Sequence, residues 1–429
     1  MKHKLLLCVW IAFVGGSHAI ADEPDAVKKT ESLNVQSFDK VWSLVKQRHW
    51  DEEAVGEAWD QAREELRPKA LMAKDKAATR KVIGELIGRL KQSHFSVVPE
   101  AAFEEIEDGK SDSEGYTGLV IRERENELVI TQIHKGSPAE STVLRPGWTI
   151  QKLGKATDKK LIEVATEATD EGPMRRETMV GILGDKRFRG DIGETMVLAC
   201  TDLEGKAHEV ELTLAKAPGT RVKLGNFPTM QVAITSNVSD NGIGYFHFSS
   251  FFDPQRMMTA YDELLAKSEK GLIIDLRGNY GGLVILPPAM SSRLTGEKGA
   301  LGKIQMKGAK INLILNPWAE PYRQPVAVLT DECSISAAEI LAGGLKDLQL
   351  ARTFGTRTAG LVLPSTFERL PNGDGIQYAF ADYQSASGGT LEGEGVTPDE
   401  EVQLTKAAYK KHSDPVLARA REWIQSQTK

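Results

Sequence analysis

The clearest signal in the chain is the stretch GLIIDLRGNYGG at residues 271–282. Its first half is a short apolar run, which indicates a buried strand, and its second half is a charged turn rich in glycine. Further strands are predicted at residues 243–248 and 326–329, and a helix is predicted at 257–265. Strands that alternate with helices indicate a mostly parallel sheet, so we predict an α/β unit over residues 218–429 that ends in a C-terminal helix.

The glycine-rich turn after the first of these strands is a candidate binding element. Glycines let backbone amides approach a bound group closely. The turn lacks both the G-x-G-x-x-G pattern and a Walker lysine, so phosphate binding is not expected. We expect instead that an amide of Gly281 or Gly282 donates to a developing oxyanion, and that Asp275 and Arg277 form a structural ion pair.

Two smaller domains are predicted upstream of the α/β unit. Residues 35–105 carry apolar side chains at helical spacing, with a plausible helix start at Ser37, and they predict a helical domain. Residues 110–217 carry short apolar strands instead, with a charged turn at 122–126, and they predict a small β domain. The segment 174–189 inside this second domain has the character of an insertion, and its sequence assigns it no role.

The first residues predict an export signal. Two lysines precede an apolar run at residues 5–14, and Ala19-Ile20-Ala21 is a small-x-small cleavage site. The run is shorter than the ~20 residues that a membrane-spanning helix needs, so no stable membrane anchor is expected. We therefore predict that residues 1–21 are a signal peptide, that residues 22–34 are flexible, and that the mature protein is exported to the periplasm or the extracellular space.

The bulk composition excludes several classes of function. A chain of 429 residues is longer than one compact core usually holds, so two or three domains are expected. The formal net charge of -6 and the absence of a long basic run give a nucleic-acid partner no electrostatic support. After removal of a signal peptide, Cys200 and Cys333 remain, and they form neither a disulfide framework nor a metal motif. We expect no metal and no cofactor.

Ser336 is the strongest candidate for chemistry. It follows the strand predicted at 326–329 and precedes a helix predicted at 340–346. Together with Glu339 it fits a capping box, so helix capping alone is one interpretation of this serine. A serine at such a turn is also well placed for nucleophilic attack, and the next amide, that of Ala337, can help hold an oxyanion. The sequence lacks the G-x-S-x-G elbow, which disfavours hydrolases of that type.

Several blocks of the chain, taken together and in order, resemble the C-terminal processing peptidases and their tricorn-core and interphotoreceptor retinoid-binding relatives. The resemblance covers nearly all of the chain after the predicted signal peptide. It implies a multidomain α/β protein with an N-terminal helical domain, a PDZ-like β domain and a crotonase-like α/β catalytic core. The matching blocks are residues 243–245, 271–282, 328–347, 355–360 and 395–399.

The resemblance assigns a nucleophile but not the usual base. In the processing peptidases the nucleophile is the middle serine of a Ser-x-Ser-Ala-x-Glu run, which is Ser336 here. Their general base is a lysine just after a Thr-x-Gly block, and that position is Leu361 here. A leucine cannot accept a proton, and the nearby Arg357 stays protonated, so the Ser–Lys pair is absent. A lysine from elsewhere in the chain is a weaker alternative.

The tricorn-like branch of the family supplies a different base, and the chain contains each of its parts. In that branch a histidine from the helical domain, preceded by a serine, acts as base, and His94 and Ser93 match this pair. A glutamate near a Gly-Val-x-Pro-Asp block orients the histidine. Glu392 matches this acid, with Glu394 as the second choice. His247 is the alternative base.

A PDZ-like domain implies a site for peptides. Residues 116–120 are similar to the carboxylate-binding loop of that fold, in which backbone N–H groups capture a peptide C-terminus and the peptide adds as a strand. The residues implied in this role are Gly118, Leu119 and Val120. A small β domain that only packs against its neighbours is the alternative.

The sequence therefore predicts an exported serine endopeptidase that hydrolyses peptide bonds of polypeptide substrates through an acyl-enzyme. Ser336 is the expected nucleophile and His94 the expected base, with Glu392 orienting it. Polypeptides are the expected partners, bound in part through free C-termini at the PDZ-like domain. The alternative is a catalytically inactive protein that binds peptides or lipids on the same scaffold.

Overall fold

The structure is a computed structural model that describes residues 32–428, except residue 102 and the segments 104–113, 154–155, 170–173 and 225–228. The predicted signal peptide and residues 22–31 of the predicted flexible segment lie outside the described residues. The chain is a mixed α/β protein with a helical N-terminal region and several sheets. The helices with described bounds are α1 (Leu33–Arg48), α2 (Glu57–Leu71), α3 (Lys76–Gly88), α4 (Asp158–Thr169), α5 (Arg176–Arg187), α6 (Pro254–Lys267), α7 (Leu286–Ser291), α8 (Ala337–Asp347), α9 (Lys406–Lys411) and α10 (Pro415–Gln427).

The strands form six sheets within the described residues. The strands are β1 (Ser96–Val98), β2 (Glu114–Tyr116), β3 (Leu119–Arg124), β4 (Glu127–Ile133), β5 (Thr149–Leu153), β6 (Ala156–Thr157), β7 (Arg189–Asp191), β8 (Thr195–Thr201), β9 (Ala207–Thr213), β10 (Ala215–Lys216), β11 (Thr220–Val222), β12 (Met230–Val232), β13 (Ile234–Val238), β14 (Ile243–Phe248), β15 (Gly271–Asp275), β16 (Gly299–Met306), β17 (Ala309–Leu315), β18 (Val326–Thr330), β19 (Arg352–Gly355), β20 (Ser365–Arg369), β21 (Gly375–Ala379), β22 (Ala381–Ser385) and β23 (Glu400–Glu401). Two sheets have six strands each, in the orders β13-β14-β15-β18-β19-β23 and β3-β4-β5-β8-β9 with β6 on β5. The smaller sheets are β1-β21-β20, β17-β16-β22, β10-β2-β7 and β11-β12.

The N-terminal helical region begins earlier than predicted. Helix α1 starts at Leu33, where the Ser32 hydroxyl accepts the Val35 N–H at 3.4 Å, and not at Ser37. Ser37 lies inside α1, fully buried, and its hydroxyl donates to the Leu33 carbonyl at 2.8 Å. The same hydroxyl accepts the backbone N–H of Asn372 at 3.0 Å. Ser37 therefore joins this region to the C-terminal part of the chain instead of starting the helix.

The helical region also shares its core and a sheet with the C-terminal part of the chain. Apolar side chains of α1, α2 and α3 pack with Leu370, Ile376 and Tyr378 in one buried cluster. Strand β1, which follows α3, pairs antiparallel with β21. Because α3 and β1 are both anchored, the short connection between them, which contains Ser93 and His94, is held against the C-terminal region.

The middle region, from β2 to β10, is built around the β3-β4-β5-β8-β9 sheet. Its hairpin at 119–133 turns at Glu125 and Asn126, both with positive φ, which is the two-residue turn typical of tight hairpins. The predicted turn at 122–126 was therefore too long, since the first three of its residues belong to β3. The segment predicted as an insertion forms α5, and its side chains Val180 and Leu183 lie in the core of this region.

The C-terminal region contains the predicted parallel sheet. Strands β14, β15, β18, β19 and β23 run parallel, and β13 is antiparallel at one edge. Along β15, Leu272 and Ile274 face a cluster that includes side chains of α6, α7 and α8. Ile273 between them faces a second cluster that includes α10. The strand is thus buried, as its apolar sequence predicted, and the two clusters cover both of its faces.

Three connections leave the carboxyl ends of neighbouring strands in this sheet. They are the glycine-rich turn after β15, the segment 331–336 between β18 and α8, and the loop 356–362 after β19. Loops at the carboxyl ends of adjacent parallel strands meet at one edge of the sheet, where ligands commonly bind in open α/β sheets. None of the helices in the described part of the chain combines the length and the hydropathy that a membrane-crossing segment requires.

Candidate active site

Ser336 lies at the start of α8 in a strained conformation. Its φ of 62° and ψ of -118° are unusual for a residue with a side chain, and such strain is commonly found at functional sites. The Glu339 carboxylate accepts the Ser336 N–H at 3.0 Å, so the glutamate half of the predicted capping box is present. The Ser336 hydroxyl is buried and has no hydrogen-bond partner among the described residues. Capping therefore leaves this hydroxyl unused.

His94 lies in the connection between α3 and β1 and also has a positive φ, of 62°. Its Nδ1 is 2.6 Å from the Ser93 hydroxyl. Its other ring nitrogen, Nε2, is buried and has no hydrogen-bond partner among the described residues. Burial lowers the pKa of His94 to about 3, so the ring is neutral at ordinary pH.

Glu392 is joined to this pair. One of its oxygens accepts the Ser93 backbone N–H at 2.8 Å. The other accepts the Ser93 hydroxyl at 3.0 Å and the Val362 N–H at 3.0 Å. Burial raises the pKa of Glu392 to about 7. The second choice from the sequence, Glu394, is 76% exposed and lies 3.9 Å from Arg357, so Glu392 is the carboxylate in contact with Ser93.

These contacts define the tautomer of His94. The Ser93 hydroxyl has one proton, and the ionised form of Glu392 accepts it. The short contact from the same hydroxyl to His94 must then be an N–H donation from Nδ1. Nε2 is left with its lone pair and can accept a proton.

Ser336 is linked to this group through the loop that follows β19. Glu339 accepts the N–H groups of Ser336 at 3.0 Å and of Leu361 at 2.9 Å. The next residue, Val362, donates to Glu392. The structure thus brings Ser336, the loop and the Ser93–His94 pair into one network, although they lie far apart in the sequence.

The position of the missing lysine is apolar. Leu361 is buried in a cluster with Ile182 of α5, Cys333, Ile335 and Ala359. The nearby guanidinium group, that of Arg357, donates to the Gly393 carbonyl at 3.1 Å. The alternative base from the sequence, His247, lies on β14 with its Nδ1 3.1 Å from the Asp275 carbonyl. The predicted ion pair between Asp275 and Arg277 is present, with the Arg277 Nε 2.9 Å from the Asp275 carboxylate.

The glycine-rich turn lies directly against Ser336. A Cβ atom placed on Gly281 would be 2.7 Å from the Ser336 Cβ, so only glycine fits there without movement. The Gly281 N–H donates to the Asn279 side chain at 2.9 Å, so this amide is already engaged. The N–H groups of Gly282 and Ala337 have no acceptor among the described residues. Of the three predicted oxyanion donors, Gly282 and Ala337 are therefore the ones with a free amide.

A buried charge network connects the middle region to the site, and the sequence did not reveal it. The Asp331 carboxylate accepts the N–H groups of Gly278 at 2.9 Å and of Cys333 at 3.0 Å, and so holds both loops beside Ser336. Arg122 of β3 donates to the other Asp331 oxygen at 2.8 Å and to Asp185 of α5 at 3.1 Å. No local pattern marks Arg122, because its main partner lies 209 residues later.

The predicted peptide-binding residues lie at the start of β3, which is an edge strand of its sheet. The Leu119 N–H donates to the Thr117 hydroxyl at 3.2 Å, so a peptide carboxylate would have to replace that bond. Further along the edge, the Arg122 guanidinium donates to the Ile121 carbonyl at 2.8 Å. A Cβ on Gly184 of α5 would be 2.5 Å from the Ile121 side chain, so this helix packs closely on the strand. Gly118 directly precedes β3, and Val120 is the second residue of this strand.

The described residues contain no group of three or more histidine, cysteine or acidic side chains arranged to hold a metal ion. Cys200 and Cys333 are both buried and unpaired.

Comparisons with known proteins find two family models that match parts of this chain. The model of peptidase family S41 matches residues 242–402, and that of the tricorn protease C1 domain matches residues 34–88. The carboxy-terminal processing protease CtpA of Bacillus subtilis is 24% identical over 289 residues, which are 67% of this chain and 56% of that protein. The carboxyl-terminal-processing protease of Synechocystis sp. is 24% identical over 402 residues, which are 92% of this chain and 87% of that protein.

A solved structure extends the match to the fold. The photosystem II D1 C-terminal processing protease superposes with a TM-score of 0.59 at 20% identity, over 90% of this chain and 99% of that one. At this identity the likeness concerns the fold alone. The chain therefore contains a region that matches peptidase family S41 at residues 242–402 and one that matches the tricorn protease C1 domain at residues 34–88, and its relatives in sequence are named carboxyl-terminal processing proteases.

Proposed function

We propose that the protein is an exported serine endopeptidase that uses a histidine base in place of the family's lysine. The observation that carries this proposal is the hydrogen-bonded series from Glu392 through Ser93 to Nδ1 of His94, which leaves Nε2 as an unpartnered acceptor. The Ser336 hydroxyl, also buried and unpartnered, is the group this acceptor would deprotonate. Leu361 leaves no side-chain base at the lysine position.

The reaction proposed for this set is acyl transfer. The Ser336 oxygen attacks the carbonyl carbon of the scissile peptide bond while its proton passes to His94 Nε2. The N–H groups of Ala337 and Gly282 stabilise the oxyanion of the tetrahedral intermediate. His94 then gives its proton to the leaving amine, and the C–N bond breaks to leave an ester on Ser336. Water, deprotonated by the same imidazole, hydrolyses that ester.

The substrates proposed are polypeptides. The relatives are named for processing at the carboxyl terminus, which supports action near free C-termini. The sheet and helices of the middle region support a PDZ-like domain, and the parallel sheet of the C-terminal region supports a crotonase-like core. Export is proposed from the signal-like sequence at residues 1–21.

A fluorophosphonate probe, which labels an activated serine, tests this proposal. We expect labelling of the wild type, loss of labelling in Ser336→Ala, and a decrease on the order of a thousandfold in the labelling rate of His94→Ala. His412→Ala, a change at a histidine near the C-terminal helix, is the matched control and is expected to label normally.

Two outcomes would contradict the proposal, and each favours a named alternative. A folded wild-type protein that is not labelled would favour a catalytically inactive protein that binds peptides or lipids. Full labelling of His94→Ala, combined with its loss in a lysine variant, would favour a Ser–Lys peptidase.

A further inference from the structure

The Glu339 carboxylate accepts four hydrogen bonds in the centre of the site. One oxygen accepts the Thr358 hydroxyl and the Gly360 N–H, both at 2.6 Å. The other accepts the Ser336 N–H at 3.0 Å and the Leu361 N–H at 2.9 Å. The side chain is fully buried, and this burial raises its pKa. A buried carboxylate is costly unless several donors compensate it, and all four of these donors converge on it.

Helix capping explains only one of the four bonds. In a capping box the glutamate accepts the N–H of the capping residue, which here is Ser336. Thr358, Gly360 and Leu361 lie instead in the loop after β19, which is not part of α8. The carboxylate therefore joins the backbone of Ser336 to a second, independent segment of the site.

The same loop also contacts the acid that supports the base. Val362 donates to Glu392, immediately after the Gly360 and Leu361 amides donate to Glu339. The loop is thus held by two buried carboxylates, one connected to Ser336 and one connected to Ser93. A shift of this loop would move the nucleophile relative to His94.

We propose that Glu339 is a positioning residue for the reaction, which holds the strained backbone of Ser336 in alignment with the Ser93–His94 pair through the loop at 358–362. This inference rests on the proposed function. Glu339 touches neither the reacting hydroxyl nor the imidazole through any described hydrogen bond, so it acts through Ser336 and the loop. Leu361, at the position of the family's lysine, cannot take part in proton transfer. The loop that contains it would instead align Ser336 with the Ser93–His94 pair.

The pKa of Glu392 is a readout for the charge of Glu339, and a purely structural role of Glu339 would not affect it. Glu392 carries a like charge, and its pKa is raised mainly by burial and also by repulsion from Glu339. The Arg175 guanidinium donates to the Thr358 carbonyl, and its positive charge interacts with the Glu339 carboxylate. Removing the charge of Glu339 should lower the pKa of Glu392, whereas shortening the side chain should not.

Two variants of Glu339 separate alignment from charge. Glu339→Gln keeps the size but turns one acceptor into an N–H₂ donor, which faces two of the four donors. Glu339→Asp keeps the charge but is one methylene too short to reach both segments. Glu57→Gln, in the exposed first turn of α2, is the matched control for the amide change.

The measurement is the rate of fluorophosphonate labelling of Ser336 as a function of pH, with thermal melting recorded for each variant. Both Glu339 variants are expected to label roughly ten- to a hundredfold more slowly, and Glu57→Gln at the wild-type rate. The acid limb of the rate profile should move to lower pH in Glu339→Gln and stay in place in Glu339→Asp.

Labelling of both variants at the wild-type rate would overturn this inference alone and leave the proposed function intact. If Glu339→Gln does not fold, Glu339→Asp decides, since wild-type labelling by that variant overturns the inference by itself. A wild-type protein that is not labelled at Ser336 would overturn both proposals.

Discussion

Two groups of the candidate site have pKa values that burial shifts in opposite directions. Burial raises the pKa of Glu392 to about 7 and lowers the pKa of His94 to about 3. In each case the neutral form is favoured, because burial removes the charged form from water. The imidazole is therefore neutral at any ordinary pH, and the ionisation of the acid becomes the step that pH controls.

We predict that kcat/KM for a peptide substrate rises with pH through about 7. The ionised Glu392 accepts both Ser93 donors and stabilises the imidazolium that forms on His94, so the active form lies above the pKa of Glu392. In Glu392→Gln this limb should disappear, and the remaining activity should be lower on the order of a thousandfold. A limb near pH 7 that persists in Glu392→Gln would assign it to another group, His94 first.

At the scale of single elements, α5 is the helix that connects the middle region to the site. Gly181 and Gly184 lie one turn apart on it and let its backbone approach the neighbouring residues. A Cβ on Gly181 would be 2.4 Å from the Cys333 sulfur, next to the nucleophile loop, and one on Gly184 would meet Ile121. Tyr280, in the glycine-rich turn, donates to Asp185 on the same helix at 2.6 Å.

The contact made by α5 leads to opposite predictions for two helical glycines. Gly84 in α3 has nothing within 4 Å of its Cβ position, so Gly84→Ala should stabilise the protein by about 0.5–1 kcal/mol through lower backbone entropy of the unfolded chain. Gly181→Ala should instead destabilise it by about 1–3 kcal/mol through overpacking against Cys333. Equilibrium unfolding in denaturant measures both. A stabilising Gly181→Ala would show that α5 can move away from the loop at little cost.

The role of α5 could not be predicted from the sequence, whereas the elements of the parallel sheet could. Strand β15 is marked by an apolar run, and its burial follows from that run. The segment 174–189 has no comparable sequence pattern. It belongs to the core because it contacts β3 and the segment 331–336, and both contacts depend on the folded structure. The helix start at Ser37 was wrong for a related reason: Ser37 is a good capping residue locally, but its hydroxyl bonds to Leu33 and Asn372.

At the scale of the whole molecule, the site joins residues from all three regions. His94 and Ser93 come from the N-terminal region, Ser336 and Glu392 from the C-terminal region, and the middle region contributes Arg122. The family resemblance named the serine, the histidine and the glutamate as candidates, and the structure connects them through hydrogen bonds. The supporting contacts could not be predicted, since Glu339 was already explained as a cap and Arg122 as a turn residue.

We predict that Arg122→Met destabilises the protein by about 3–5 kcal/mol, because it leaves the buried carboxylate of Asp331 and the partly buried carboxylate of Asp185 without their charge partner. The labelling rate of Ser336 should fall as well, since Asp331 aligns the two loops beside it. Arg89→Met is the matched control: its ion pair with Glu65 is about half exposed and should contribute only a small fraction of that energy. Unfolding in denaturant and probe labelling together test this, and a fully labelled Arg122→Met would show that Asp331 holds the loops alone.

The order in which the site residues occur along the chain affects the protein while it is being made. The imidazole comes from residue 94, the hydroxyl from residue 336 and the carboxylate from residue 392. A nascent chain on the ribosome that has not yet reached Glu392 therefore lacks part of the set, whatever it has folded so far. In the proposed mechanism, the chain therefore acquires its complete catalytic set only after residue 392 has been synthesised.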